Sequence, residues 1–489
     1  MRPCAHRAAM MVVAIATLCA CAGFPAKQKP VRLPEAAPLD GADFSSGGDW
    51  PAREWWKRYQ DPTLDQLIEL GAANSPSLAT ARARFDTARQ SVRLAAAASG
   101  AQVTASADTD RQRLSDNGIF PPQLLGFTWY NQSDLGLQAS YTFDWWGKQR
   151  YAVESAMDQA HAAQADRSAA ALMLASSIAD SYFGWQSDQN RLLLARENEN
   201  SIELEAKIIA ARVRAELDFA DDINRSDLAL AAAREQIAAL EGSAKLRVVA
   251  LAALAGRSVG ELPPLTRKPL PAFPGLLPDN VKIDLMARRA DITASRWRVE
   301  AAERTLDSVR ADFYPDVTIN ALAGFSSIDI GKLLEYGSRV PQAGAAIHLP
   351  IFDAGRLKAR YGGAQAAIDA AVSNYQDTVI SAARDVATQA TSRAQIESQR
   401  AQRVLEVDAA LRIKDTAAAR VRQGIADSRT ELKATESWIE QRDALLQLDA
   451  AALAADVALQ RALGGGYESS QKLASSAAKP TAPLPTVTP

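Results

Sequence analysis

A chain of 489 residues is long enough for more than one domain, and its formal net charge of −2, with no basic cluster, excludes an electrostatic footprint for nucleic acid. Aromatic residues at 6 % argue against a conventional large globular core, whereas the abundance of alanine favours closely packed helices. Cys4, Cys19 and Cys21 all lie near the N-terminus, so disulfides and thiolate metal sites are excluded from the rest of the chain.

Residues 1–20 combine a basic start with an apolar run of about 13 residues, too short to span a bilayer, and read as a secretory signal peptide. Leu18-Cys19-Ala20-Cys21 has the form of a lipobox, which places the cut before Cys21 and a lipid on its thiol. A cut before Cys19 would leave bulky Leu18 at the last signal position, and an ordinary secreted protein with incidental cysteines is the plainer alternative. Ala22 follows Cys21 where an aspartate would retain a lipoprotein in the inner membrane, so an outer-membrane destination is favoured. Residues 21–60, with "FPAKQKPVRLPEAAPLDG", read as a lipid-anchored extended tether.

Two segments of similar length follow, 61–261 and 279–466, separated by a Pro-rich linker at 262–278 and followed by a tail at 467–489 expected to be disordered. They are repeats of each other. Leu78, Arg82, Arg84 and Val103 fall on Ile292, Arg296, Arg298 and Val317 at one offset, and "ARVR" at 211–214 recurs at 419–422. Phe143-Asp144 and Gly147-Lys148 match Phe352-Asp353 and Gly355-Arg356. Each repeat reads helix, strand, strand, long helix, turn, helix.

The strands are expected at about 101–111, 134–146, 315–326 and 341–352, each about the length that crosses an outer membrane at a tilt. In the second, Leu135, Leu137, Ala139, Tyr141, Phe143 and Trp145 alternate with Gly136, Gln138, Ser140, Thr142 and Asp144. Edge strands of a soluble sheet would show the same alternation. An exported chain with this pattern four times, and with "YTFDWW" suited to an interface girdle, points instead to membrane strands. Lipid demands a closed barrel, which four strands cannot make, so several chains must share one. Two chains would supply eight strands and an interior filled by side chains, whereas three would supply twelve and leave a lumen, which suits the small and polar inward residues.

Helices from about Lys148 to Arg214 and from about Arg356 to Arg422 would each be about 100 Å long, far beyond the usual globular helix. Seams such as Ile202, Ala206, Ile209 and Val213 suit packing against neighbouring helices. In the turn after the second long helix, Gly424 can supply a left-handed cap, and Asp427, Ser428 and Thr430 are candidates to cap the returning helix. The first turn has Glu216 where glycine would be expected. No phosphate-cradling loop, zinc motif or nucleophile elbow is present, and the isolated His161 and His348 read as structural. The chain is therefore expected to be no enzyme, with no cofactor and no metal.

"WWKRYQDPTLDQLIELGAANSPSLATARAR", "RRADITASRWRVEAAERTLDSVRADFYPDVTI", "LPIFDAGRLKAR" and the lipobox together resemble the TolC-like outer-membrane factor family, in particular its lipoprotein-type outer-membrane efflux proteins of tripartite, RND-type pumps. The resemblance spans nearly the whole mature chain. It implies a mainly α fold with transmembrane β, two helix-strand-strand-helix repeats per chain, and a homotrimer whose 12-stranded β-barrel continues into a periplasmic α-helical barrel. The implied function is passive conduction of drugs or other small toxic compounds, with a role in antibiotic resistance. The implied partners are a periplasmic adaptor, an inner-membrane transporter and outer-membrane lipid.

Adaptor contacts carry over to the tips, at Arg214, Glu216, Leu217, Arg422, Gly424 and Ile425. Aperture carboxylates carry over to Glu431, with Asp427 nearby, while Ala434 stands where a second aspartate is often found. Three copies of Glu431 about an axis would raise each other's pKa and favour cations. Two rival readings are a stand-alone porin, which needs at least eight strands per chain, and an envelope-spanning coiled-coil lipoprotein, which leaves the paired strands unexplained.

Overall fold

The computed structural model describes residues 33, 46–117, 121–271, 277–278 and 281–468. The signal peptide, Cys21, most of the 21–60 tether, part of the linker and the tail beyond 468 lie outside the described residues. The first repeat carries helices α1 (Pro62–Asn74) and α2 (Pro76–Ala98), strands β1 (Gln102–Arg113) and β2 (Trp129–Phe143), and helices α3 (Lys148–Arg214) and α4 (Ala220–Ala255). The second carries α5 (Val281–Arg288), α6 (Ala290–Ala311), β3 (Asp316–Ser327), β4 (Arg339–His348), α7 (Arg356–Arg422) and α8 (Ser428–Ala462) in the same order. The long helices α3 and α7 are 67 residues each and contain no proline, with Gly184 in α3 and Gly362 and Gly363 in α7 accommodated within the helix. Among the described residues no helix is long and apolar enough to cross a membrane.

The chain divides into two compact units, and each draws on both repeats. One consists mainly of Phe85–Ala162 and Ser295–Asn374. Its centre is a four-stranded antiparallel sheet in the order β1-β2-β3-β4, so the β2–β3 pairing joins the repeats and, among the described residues, β1 and β4 each have one neighbour. Register places Ala107, Leu135, Phe325 and Arg339 in one cross-strand row, with Ala105, Leu137, Ala323 and Pro341 in the next row on that face. The opposite face carries rows such as Thr104, Gln138, Leu322 and Gln342. There Gly136 lies opposite Gly324, and a Cβ on Gly324 would fall 2.5 Å from the Leu135 carbonyl oxygen, so the close approach requires glycine.

β2 starts ahead of residue 134 and ends at Phe143 rather than continuing to 146. The reason is local: the Arg150 N–H donates to Asp144 Oδ2 at 2.8 Å, committing Asp144 to the start of α3. β4 likewise stops at His348, because Asp353 accepts from the N–H groups of Gly355 (3.1 Å) and Leu357 (2.8 Å) at the start of α7. Helices in this unit are cross-linked by Lys148 Nζ to Asp312 at 2.8 Å, Arg360 to Asp312 at 2.9 Å, and Ser155 Oγ to the Ala301 carbonyl at 2.9 Å.

The other unit holds residues Pro34–Arg84, Ala163–Ala294 and Tyr375–Pro489. Five aromatics meet here: Trp55, Tyr59, Tyr182, Phe183 and Trp185 join Leu67, Ile178 and Leu251 in one buried cluster, with Leu453 and Val457 of α8 packed into it. A compact aromatic core therefore forms despite the low aromatic content, because five of these rings converge on one place. Beside it, the buried Asp456 accepts a 2.7 Å hydrogen bond from the Tyr59 hydroxyl and pairs with Arg393. Burial and the neighbouring Asp456 push the Tyr59 phenol well above its ordinary range. The described start of the linker is fastened to α3, since Asn190 Nδ2 donates to the Lys268 carbonyl at 2.7 Å and the Lys268 N–H donates to Gln186 Oε1 at 2.7 Å. Burial opposes ionisation of Asp61, but hydrogen bonds from Lys268 and Tyr182 outweigh it and hold its carboxyl below the usual carboxylate range.

Candidate functional site

The turns α3–α4 and α7–α8 belong to the same unit and have the same backbone. At the first, the Leu217 N–H donates to the Arg212 carbonyl at 2.9 Å and the Glu216 N–H to the Val213 carbonyl at 3.0 Å. At the second, Ile425 donates to Arg420 at 2.9 Å and Gly424 to Val421 at 2.9 Å. This is the paired hydrogen bonding of a Schellman helix end, which requires a left-handed residue between cap and exit. Gly424 meets that requirement at φ 71°, and Glu216 adopts it at φ 61° although it carries a side chain. The missing glycine thus leaves the turn's geometry intact and adds local backbone strain instead.

Arg214, Glu216, Leu217, Arg422, Gly424 and Ile425 are all exposed. Leu217 and Ile425, which follow the left-handed residues, present apolar side chains to solvent, as does Phe219. Of the three candidate caps for α8, Asp427 is the one used: its carboxylate accepts from the Arg429 N–H at 3.2 Å. The corresponding position at the start of α4 is Phe219, whose side chain cannot accept, and Asp222 reaches back to the Phe219 N–H at 3.2 Å in its place.

Ion pairs tie the two turns together. Arg212 grips Asp218 through Nε at 2.8 Å and Nη2 at 3.1 Å, and its Nη1 lies 3.8 Å from Asp427. Arg429 reaches across from α8 to Asp218 at 3.4 Å and to Glu205 of α3 at 3.3 Å. The hydrogen bonds from Arg212 hold the Asp218 carboxyl below the usual carboxylate range. Two turns further along α8, burial and then the negative Glu205 push the Glu436 carboxyl up, and its Oε1 is buried with no hydrogen-bond partner among the described residues.

The sequence-derived candidates therefore separate. Asp427 belongs to the ion-pair network as well as to the helix cap, whereas Glu431 lies in the first turn of α8, partly exposed, with no ion pair among the described residues. Ala434 is buried. Arg212, Asp218, Glu205, Arg429 and Glu436 escaped the sequence reading. Their contacts span as many as 224 residues, and the one available signal was that each repeat places charged residues on both sides of its turn. The arrangement links two helix pairs through ion pairs and is flanked by exposed apolar and cationic side chains.

A family model described as outer membrane efflux protein matches residues 67–257 and 284–465, one stretch in each repeat. The multidrug resistance outer membrane protein MdtP of Escherichia coli (strain K12) is 32 % identical over 439 residues, covering 88 % of this chain and 89 % of that protein. The outer-membrane channel OprN superposes with a TM-score of 0.81 at 27 % identity, over 91 % of this chain and 99 % of OprN. VceC, an outer membrane protein of Vibrio cholerae, superposes with a TM-score of 0.77 at 31 % identity, over 86 % of this chain and 100 % of VceC.

Proposed function

This chain belongs to the outer membrane efflux protein family, and from that premise we propose that it acts as the passive exit duct of a tripartite pump, three copies sharing one 12-stranded barrel. The observation that carries the trimer is the sheet itself: four strands with one apolar face, whose edge strands β1 and β4 each keep an unpaired side. In hydrocarbon those backbone groups must find partners, and sister copies supply them. The outer membrane is the chain's location, and Cys21 carries the lipid that anchors it there.

In this reading the exposed turn residues Arg214, Glu216, Leu217, Arg422, Gly424 and Ile425 receive a periplasmic adaptor, which hands on cargo from an inner-membrane transporter of the RND type. The Arg212–Asp218–Arg429–Glu205 network holds the aperture closed until that docking exchanges its ion pairs. Asp427 and Glu431, repeated three times about the axis, make the opening acidic and favour cationic cargo. Drugs and other small toxic compounds are the cargo, by analogy with the multidrug resistance protein MdtP. We assign the chain no catalytic step, and the energy for transport comes from the partner transporter.

Deleting the gene in a strain with no second copy of this type tests the reading. Sensitivity to a panel of toxic compounds should rise and be restored by the intact chain, whereas unchanged susceptibility across the panel would remove export as the function. A stand-alone porin is disfavoured by a contribution of four long strands per chain, and a structural coiled coil by the sheet.

A further inference from the structure

We propose that the apolar face of the sheet carries a docking groove for a lipid with an anionic headgroup, in which the acyl chains lie on the strands and Arg339 holds the headgroup. The inference rests on the barrel reading above, which turns this face to the bilayer. A groove of about 840 Å³ runs over the face, floored by Leu135, Leu137, Ala323 and Phe325, with Tyr336 and Arg339 at one end. That end is the one remote from the helices, beside the loop joining β3 to β4.

Three observations select the occupant. First, Arg339 is exposed and lies in the last apolar row, opposite Phe325, while the next row on that face is polar, with Thr109 and Ser133 hydrogen-bonded at 2.9 Å. A cation at the step from apolar to polar surface stands at headgroup depth. Second, the Arg339 guanidinium lies 4.2 Å from the centre of the Tyr336 ring, and among the described residues no carboxylate pairs with it. Stacking fixes the plane of the fork and leaves its N–H edges for phosphate oxygens. Third, the adjoining loop exposes Ile328, Ile330, Leu334 and Tyr336, an apolar set that suits the edge of a bilayer better than open water. Apolar floor, unpaired cation and apolar rim together match an acylated anion and not a free phosphate.

The full-length protein in detergent, titrated with phosphatidylglycerol, diacylglycerol of the same chains, or glycerol phosphate, and followed by native mass spectrometry, tests this. Phosphatidylglycerol should bind about tenfold more tightly than diacylglycerol, which lacks the phosphate, the range of a charge-assisted hydrogen bond. Arg339→Gln should abolish that preference, and Ala323→Trp, which fills the floor, should weaken both lipids. Equal affinities, or an Arg339→Gln protein that keeps the preference, would overturn the proposal. So would glycerol phosphate binding as tightly as the lipid, or pairing of trimers through this face with no lipid bound. An oligomer of other than three chains contradicts the barrel reading, whereas an intact trimer without lipid preference contradicts the groove alone.

Discussion

Two clusters of charge hold the same helical unit together, and they differ in how much water reaches them. The side chains of Arg393 and Asp456 are 7 % and 2 % exposed. At the turns, Arg212 is 36 % exposed, Arg429 25 % and Asp218 12 %. A buried pair cannot separate without leaving an uncompensated charge in a poor dielectric, so it acts as a permanent brace. A pair within reach of solvent exchanges its partner for water at little cost, so it can act as a catch. The fold therefore places its irreversible contacts in the aromatic core and its exchangeable ones where the helices reverse.

The largest effect should come from the brace. Asp456→Ala removes the buried carboxylate that pairs with Arg393 and accepts from the Tyr59 hydroxyl, and should cost about 3–5 kcal/mol in denaturant unfolding. A cost similar to that of an exposed pair would erase the distinction between the clusters. Next, the backbone of the turns can be tested against their charges. Gly424→Ala should cost about 1 kcal/mol through its left-handed backbone, while Glu216→Gly should relieve strain and stabilise by up to about 1 kcal/mol. If both substitutions destabilise equally, the two turns are not equivalent in the way their hydrogen bonds imply.

Arg429→Ala should leave unfolding nearly unchanged yet raise conductance in planar bilayers by about two- to fivefold, because it frees one turn from the other. A fully folded variant with unaltered conductance would show that the network is no catch. The smallest effects are in pH, and they run in opposite directions. Asp218 has its pKa lowered from 3.8, so its contribution is present above that value and lost as pH falls through the folded-state pKa. Tyr59 is raised above 10.0, so its contribution is complete below that value and lost as pH rises beyond it. Hydrogen exchange should accordingly loosen the turns in acid and the aromatic core in base.

Much of this was legible in the sequence. The long helices have the limits that unbroken helix-forming composition sets, and the alternation from Leu135 to Phe143 matches the faces fixed by the strand register. Gly424 and Asp427 were readable because a turn has local chemistry. Other features were hidden for physical reasons. Glu216 signals no left-handed turn by its identity, and only the hydrogen bonds around it reveal one. The strand end at Phe143 is decided by the Asp144 carboxylate choosing the helix over the sheet. Arg429, Asp218 and Glu205 carry no more signal than charge on both sides of each turn, since their meeting depends on bringing together segments from two repeats.

The most direct test is the mass and conductance of the full chain purified in detergent. Three copies per particle, with discrete single-channel currents on insertion into a planar bilayer, are the predicted result; a stable single polypeptide that passes no current would contradict the shared barrel and the duct built on it.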